Sequence, residues 1–180
     1  PDRGAGVGFR DGRLSHLGSD GAVLRTTQLP PPESEKFAIS IQRRMAVSLA
    51  TRELAIISGV RHGKTARMDI DSWEITWSPE GSIVNYDFDI DYSPDGRRLA
   101  IVGRERPQNV VVLDLERNEY VGRIAGHLAN ATHVDFIEGG SRLLSAGQDG
   151  AVFISRPTDS RPIAKLLQLE HAVRWMATST

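Results

Sequence analysis

Histidine is the side chain best suited to proton transfer or metal ligation near neutral pH. The chain has five of them, His16, His62, His127, His133 and His171. None belongs to the His-x-x-x-His spacing that sets two imidazoles on one helical face for zinc. Ser40, Ser48, Ser58 and Ser145 all lie outside any Gly-x-Ser-x-Gly elbow of the kind that exposes a nucleophile. Gly59-Val60-Arg61-His62-Gly63-Lys64-Thr65 has the residue types of a phosphate-cradling loop. That motif needs four residues between its glycines and a helix after it. Here three residues intervene, and the following Ala66 to Ile70 reads as a strand. The segment is therefore expected to be a turn with an exposed lysine. Asp87, Asp89 and Asp91 resemble the opening of a calcium loop, but the sixth and twelfth places hold Tyr92 and Arg98 instead of Gly and Glu. Their alternation with Phe88 and Ile90 reads as one solvated side of a strand. Arg43-Arg44 and Arg97-Arg98 read as exposed turn residues, with a phosphate-binding patch as the alternative. Trp73, Trp77 and Trp175 read as packing residues. The residue types thus supply no catalytic, metal or cofactor motif, and the expectation is no catalytic site, no metal and no cofactor.

The elements that carry these residues repeat. From His133 to Ser155 the chain reads as three short strands with two tight turns. Val134 and Phe136 alternate with Asp135, Glu138-Gly139-Gly140 breaks the run, and Leu143, Leu144 and Ala146 form a second one. Gln148-Asp149-Gly150 is a turn because glycine tolerates positive φ and aspartate bonds its own turn backbone. Ala151 to Ile154 follows with strand-favouring residues. Other stretches share the pattern. Val7 and Phe9 lead a copy that contains Ser19-Asp20-Gly21. Val47 and Leu49 lead a weaker one, Ile90 and Tyr92 a clear one around Pro94-Asp95-Gly96, and Val173 and Trp175 begin another. The leading positions 7, 47, 90, 134 and 173 are 40, 43, 44 and 39 residues apart. That period, with four strands in each unit, is the range of propeller blades. Fourth strands are expected at 37–41, 74–77, 120–124 and 163–167, and Leu29 to Lys36 as a surface loop.

The pattern resembles the WD-repeat β-propeller family. The resemblance rests on Ser93-Pro94-Asp95-Gly96 between first and second strands, on Ser19-Asp20-Gly21 and Gln148-Asp149-Gly150 before third strands, and on Gly126-His127 ahead of a first strand. Leu113-Asp114 and Met68-Asp69 stand where the family usually has Trp-Asp, and no Trp-Asp dipeptide occurs, so the repeats are divergent. The resemblance covers nearly the whole chain. It implies an all-β fold, a β-propeller of four-stranded antiparallel blades at about 5–42, 43–84, 85–127 and 128–169, with 170–180 starting a further blade. It also implies a buried His-Ser-Asp network within a blade. His127, Ser145 and Asp149 match three of its members, and Ser155 stands near the tryptophan of the fourth. In that role His127 orders a turn and is not a base.

The chain is 39% apolar and 25% charged with a net charge of −1. That balance argues against nucleic acid or an anionic membrane surface as partner. No stretch reads as a membrane span or a signal peptide. The absence of cysteine excludes a disulfide framework and suits a reducing compartment, so a cytoplasmic location is expected. Four units plus one strand read as a segment of a larger propeller, or as a piece that must self-associate or gain further blades to close. The function this implies is a non-catalytic protein-protein interaction scaffold or sensor within a larger signalling protein. The alternative is a propeller hydrolase or peptidase subunit with a site at the channel mouth. Fold alone does not decide between them.

Overall fold

A computed structural model describes residues 5–8, 13–17, 20, 22–28, 45–57, 65–79, 87–104, 108–174 and 176–178. The chain divides into two compact units, Pro1–Ile41 and Gln42–Thr180. In the first, β1 (Ala5–Gly8), β2 (Arg13–Leu17) and β3 (Val23–Gln28) form a three-stranded antiparallel sheet I. A fourth strand expected at 37–41, and the loop at 29–36, lie outside the described residues. In this sheet Ala22 N–H donates to Asp20 Oδ1 at 2.9 Å, the short Asx turn expected before a third strand.

The second unit contains three four-stranded antiparallel meanders. Sheet II is β4 (Met45–Ser48), β5 (Glu53–Ile57), β6 (Thr65–Asp69) and β7 (Ile75–Trp77). Sheet III is β8 (Asp87–Tyr92), β9 (Arg98–Gly103), β10 (Gln108–Asp114) and β11 (Glu119–Ala125). Sheet IV is β12 (Ala131–Ile137), β13 (Arg142–Gly147), β14 (Ala151–Ser155) and β15 (Ala164–Gln168), with a 3₁₀ turn at Glu138–Gly140. The protein is therefore all-β, and the fourth strands lie within a residue or two of the expected positions. The phosphate-loop lookalike at 59–64 is outside the described residues, and Thr65, which follows it, opens a strand. Of the tail expected to begin a further blade, Trp175 is outside the described residues, and the described positions 170–174 and 176–178 form no strand.

Each meander is short-range, and turn chemistry explains its register. Between β8 and β9, Ser93 Oγ donates to Asp95 Oδ1 at 2.6 Å, Arg97 N–H to the same oxygen at 3.0 Å, and Gly96 N–H to Ser93 O at 2.8 Å. Gly96 has φ +70°, and a side chain there would come within 2.5 Å of Thr51 Cγ2 in the equivalent turn of sheet II. After third strands, Asp69 accepts from Asp71 and Ser72 N–H, and Asp114 from Arg117 N–H. These are the two positions where the repeat has Met-Asp and Leu-Asp.

Sheet III sits between the other two. Ile90, Tyr92, Leu99, Ile101, Val111 and Leu113 meet Ala55 and Ile57 of sheet II on one side. Ala100, Val102, Val110, Val112 and Ile124 meet Val134, Phe136 and Leu143 of sheet IV on the other. Covering both faces explains why β9 and β10 read as unbroken apolar runs without alternation. The first strands lie together, β8 against both β4 and β12. The β8–β12 seam is stitched by carboxylates. Asp89 Oδ2 accepts from Val134 N–H at 3.3 Å, and Asp91 Oδ2 from Phe136 N–H at 2.7 Å. The reading of this aspartate run as a solvated face is thus corrected at Asp89 and Asp91. Ile90 and Tyr92 fill the layer toward sheet II, and the intervening carboxylates are turned into the opposite layer, where unpaired first-strand N–H groups wait for acceptors.

Candidate functional site

The residues with the strongest chemistry come together in sheet IV. β11 ends at Ala125, and Gly126 and His127 carry the chain across to β12. Ser145 lies on β13, opposite Val134 on one side and Phe153 on the other, so its side chain faces sheet III. Asp149 sits in the turn between β13 and β14. His127 Nε2 is 3.0 Å from Ser145 Oγ, and His127 Nδ1 is 3.0 Å from Asp149 Oδ1. The imidazole and the Phe153 ring form a T-shaped pair, with a centroid distance of 4.8 Å and an interplanar angle of 80°.

The protonation pattern follows from these contacts. Burial holds the His127 imidazole below its ordinary range, against the hydrogen bond and charge of Asp149, so the ring is neutral at neutral pH. Burial also pushes the Asp149 carboxyl up, but hydrogen bonds from His127, Leu128 N–H and Ala151 N–H outweigh it and leave it below the usual carboxylate range. An ionised carboxylate only accepts, so Nδ1–H donates to Asp149 and Nε2 accepts from the Ser145 hydroxyl. Asp149 further accepts from Leu128 N–H at 2.6 Å and from Ala151 N–H at 3.2 Å. One carboxylate thus closes its own turn and fixes the loop before β12.

Neighbours complete the clamp. Asn130 Nδ2 donates to Gln148 Oε1 at 3.0 Å, Gln148 N–H to Asn130 O at 2.9 Å, and Gln168 Nε2 to Asp149 O at 2.8 Å. The tail joins through Val173 N–H to Gly147 O at 3.0 Å and Thr132 Oγ1 to Val173 O at 3.1 Å. Gly147 is a residue that sequence reasoning missed. A Cβ there would fall 2.6 Å from His127 Nδ1 and 2.8 Å from Asp149 Oδ1, so only glycine leaves the ring in place. Its signal was a glycine ending a strand, which marks a close approach.

In connectivity the trio copies a serine-histidine-aspartate hydrolase. In environment it does not, since Ser145 is 3% exposed on an inner strand and His127 5%. Geometrically the network joins two turns across a sheet end. Ser155 is buried at the end of β14, across from Leu143. Of the other histidines, His133 is buried on β12 and His171 is exposed, and His62 lies outside the described residues. Arg97 is exposed and Arg98 half-buried beside the Asp95 turn, while Arg43 and Arg44 lie outside the described residues. Trp73 occupies a turn with φ +66°, and Trp77 is half-buried on β7. Among the described residues no cluster of three or more His, Cys, Asp or Glu is placed to hold a metal ion. Among them, too, no helix is long and apolar enough to cross a membrane. No protein-family model matches the chain, and no curated protein matches it.

Proposed function

We propose that the chain is a segment of a WD-repeat-type β-propeller that serves as a non-catalytic protein-interaction scaffold, in the cytoplasm and within a larger signalling protein. The observation that carries this reading is the way the His127 network ends at the surface. Its bonds tie the Leu128–Asn130 loop to the Gln148–Gly150 turn, and Leu128, whose N–H donates to Asp149, is 79% exposed. A loop tied in this way, offering one large apolar side chain, costs little entropy on docking, which favours binding. The side-by-side first strands β4, β8 and β12 support the propeller arrangement. A buried, hydrogen-bonded Ser145 speaks against the hydrolase alternative.

Leu128→Asp is the direct test. The substitution should leave the unfolding midpoint within about 2 °C of wild type, because the side chain is exposed and only the backbone is held. It should also abolish binding of the partner recovered with the wild-type chain and re-purified for a two-component titration. Equal affinity of the two proteins would refute this loop as the docking point. A fluorophosphonate probe provides the enzyme control, since labelling at Ser145 would favour the hydrolase reading.

A further inference from the structure

The layer between sheets II and III holds polar groups that its apolar packing does not explain. Ile57 pairs with Thr65 and Ala55 with Arg67, which places Thr65 and Arg67 on the face of sheet II that carries Ala55 and Ile57. Val111 pairs with Arg123 and Leu113 with Tyr120, which places these two on the face of sheet III that carries Val111 and Leu113. Ala55, Ile57, Val111 and Leu113 belong to one core cluster. The four polar residues therefore flank a single layer, from the third strand of one sheet and the fourth of the other. Tyr92 crosses the same layer and donates to Glu53 Oε2 at 3.4 Å.

Thr65 Oγ1, Arg67 Nε, Tyr120 Oη and Arg123 Nη1 are each buried without a hydrogen-bond partner in the protein. Thr65 is 0% exposed and Arg67 7%. All four atoms can donate. Glu53 approaches Arg67 Nη1 at 3.6 Å, too far for a hydrogen bond, and the Arg123 guanidinium stands 5.1 Å from the Tyr120 ring centroid. Glu53 and Asp69 share the face of Arg67, and Asp69 Oδ1 is already taken up by the Asp71 and Ser72 N–H groups. Unpaired buried donors are rare in native structures and call for an acceptor. Water can satisfy each donor singly, whereas an oxyanion accepts from several at once in charge-assisted bonds.

We propose that this layer is a binding site for one small oxyanion, a phosphate or a carboxylate, held by Arg67 and Arg123 with the Thr65 and Tyr120 hydroxyls. Arg67 anchors it from the buried side, and the half-buried Arg123 and Tyr120 form the approach from solvent. The site is independent of the scaffold reading.

Titrating the whole chain with inorganic phosphate, and separately with acetate, against sodium chloride of equal ionic strength tests the site. With saturating ligand the melting temperature should rise by about 5 °C over the chloride control. The ¹⁵Nε resonances of Arg67 and Arg123 should shift along the same binding curve. Saturation by phosphate alone assigns a phosphate site, and saturation by acetate a carboxylate site. Arg123→Met should lose both responses, and Tyr120→Phe, which keeps both charges, should weaken binding several-fold. If neither anion exceeds chloride, or if both variants bind as tightly as wild type, the layer holds only water and the proposal fails.

Discussion

At the scale of single residues, the chemistry is that of a clamp. Asp149 collects three hydrogen bonds, from His127 Nδ1–H and from the N–H groups of Leu128 and Ala151. Asp149→Ala leaves these donors without their acceptor, at about 1–3 kcal/mol, and should lower the urea midpoint accordingly. An unchanged midpoint would show that the carboxylate contributes nothing to the fold. pH offers a second handle on the same bonds. The His127 pKa lies below its unfolded value, so between the two the unfolded chain binds more protons. Its contribution is complete above the unfolded value, near 6.5, and is lost as the pH falls through the folded one. His127→Gln should therefore flatten the acid side of the stability profile below pH 6.5, measured by chemical denaturation across a pH series. Asp149 was legible in the sequence because turns favour Asp-Gly and because its spacing from Gly126-His127 matches a repeat pattern. Its partner was not, for either His127 or Ser145 could fill the place. The structure interposes the imidazole, with Ser145 bonded to the ring and not to the carboxylate. Gly147 carried only the general signal of a glycine ending a strand, since the ring it makes room for is twenty residues away in sequence and comes close only after folding.

The strands themselves were readable, because alternation, apolar runs and Gly-containing turns are local signals. What local signals could not show was which side of β8 would be covered. Aspartates at every second place look like a wet face, yet Asp89 and Asp91 accept backbone N–H groups of β12. Burial, followed by the nearby Asp135 and Asp89 charges, raises the Asp91 carboxyl to about 6, against the lowering effect of the Phe136 N–H. Here the folded chain binds more protons than the unfolded one. The associated stability is present below the unfolded value of about 3.8 and is lost as the pH rises through about 6. Asp91→Asn keeps an oxygen for Phe136 N–H and removes the buried charge. It should abolish this loss, leaving the variant no less stable than wild type at pH 7.5. Asp91→Ala should be less stable than Asp91→Asn at every pH. If both variants keep the wild-type slope between pH 4 and 7, the seam is not the source of it. The opposite sign of the His127 effect lets the two variants separate the contributions.

Across the second unit, apolar burial is uneven. Sheet III is covered on both faces, whereas β15 leaves Leu166 and Leu167 about half exposed, as are Leu169 just after it and Ile163 just before it. Among the described strands, β15 pairs only with β14, so its other edge offers free backbone groups beside an apolar stripe, the combination that invites intermolecular pairing. The purified chain is expected to self-associate in light scattering as its concentration rises. Leu167→Lys should shift it toward monomer without lowering its melting temperature. A wild-type chain that stays monomeric and binds no hydrophobic dye would show this edge to be inert.

The stitched seam also sets how the molecule should answer to mechanical load. Inside each meander the strands share ladders of backbone bonds, but β8 and β12 are joined through aspartate side chains. Pulled from its two ends, the second unit should part between sheets before any sheet unravels. Each four-stranded meander would then yield as a separate event. Sheet III, at roughly 40 residues, should release about 14 nm of contour length in one step. A force-extension trace would show a staircase in place of a single rupture, with the first step weakened by Asp91→Ala.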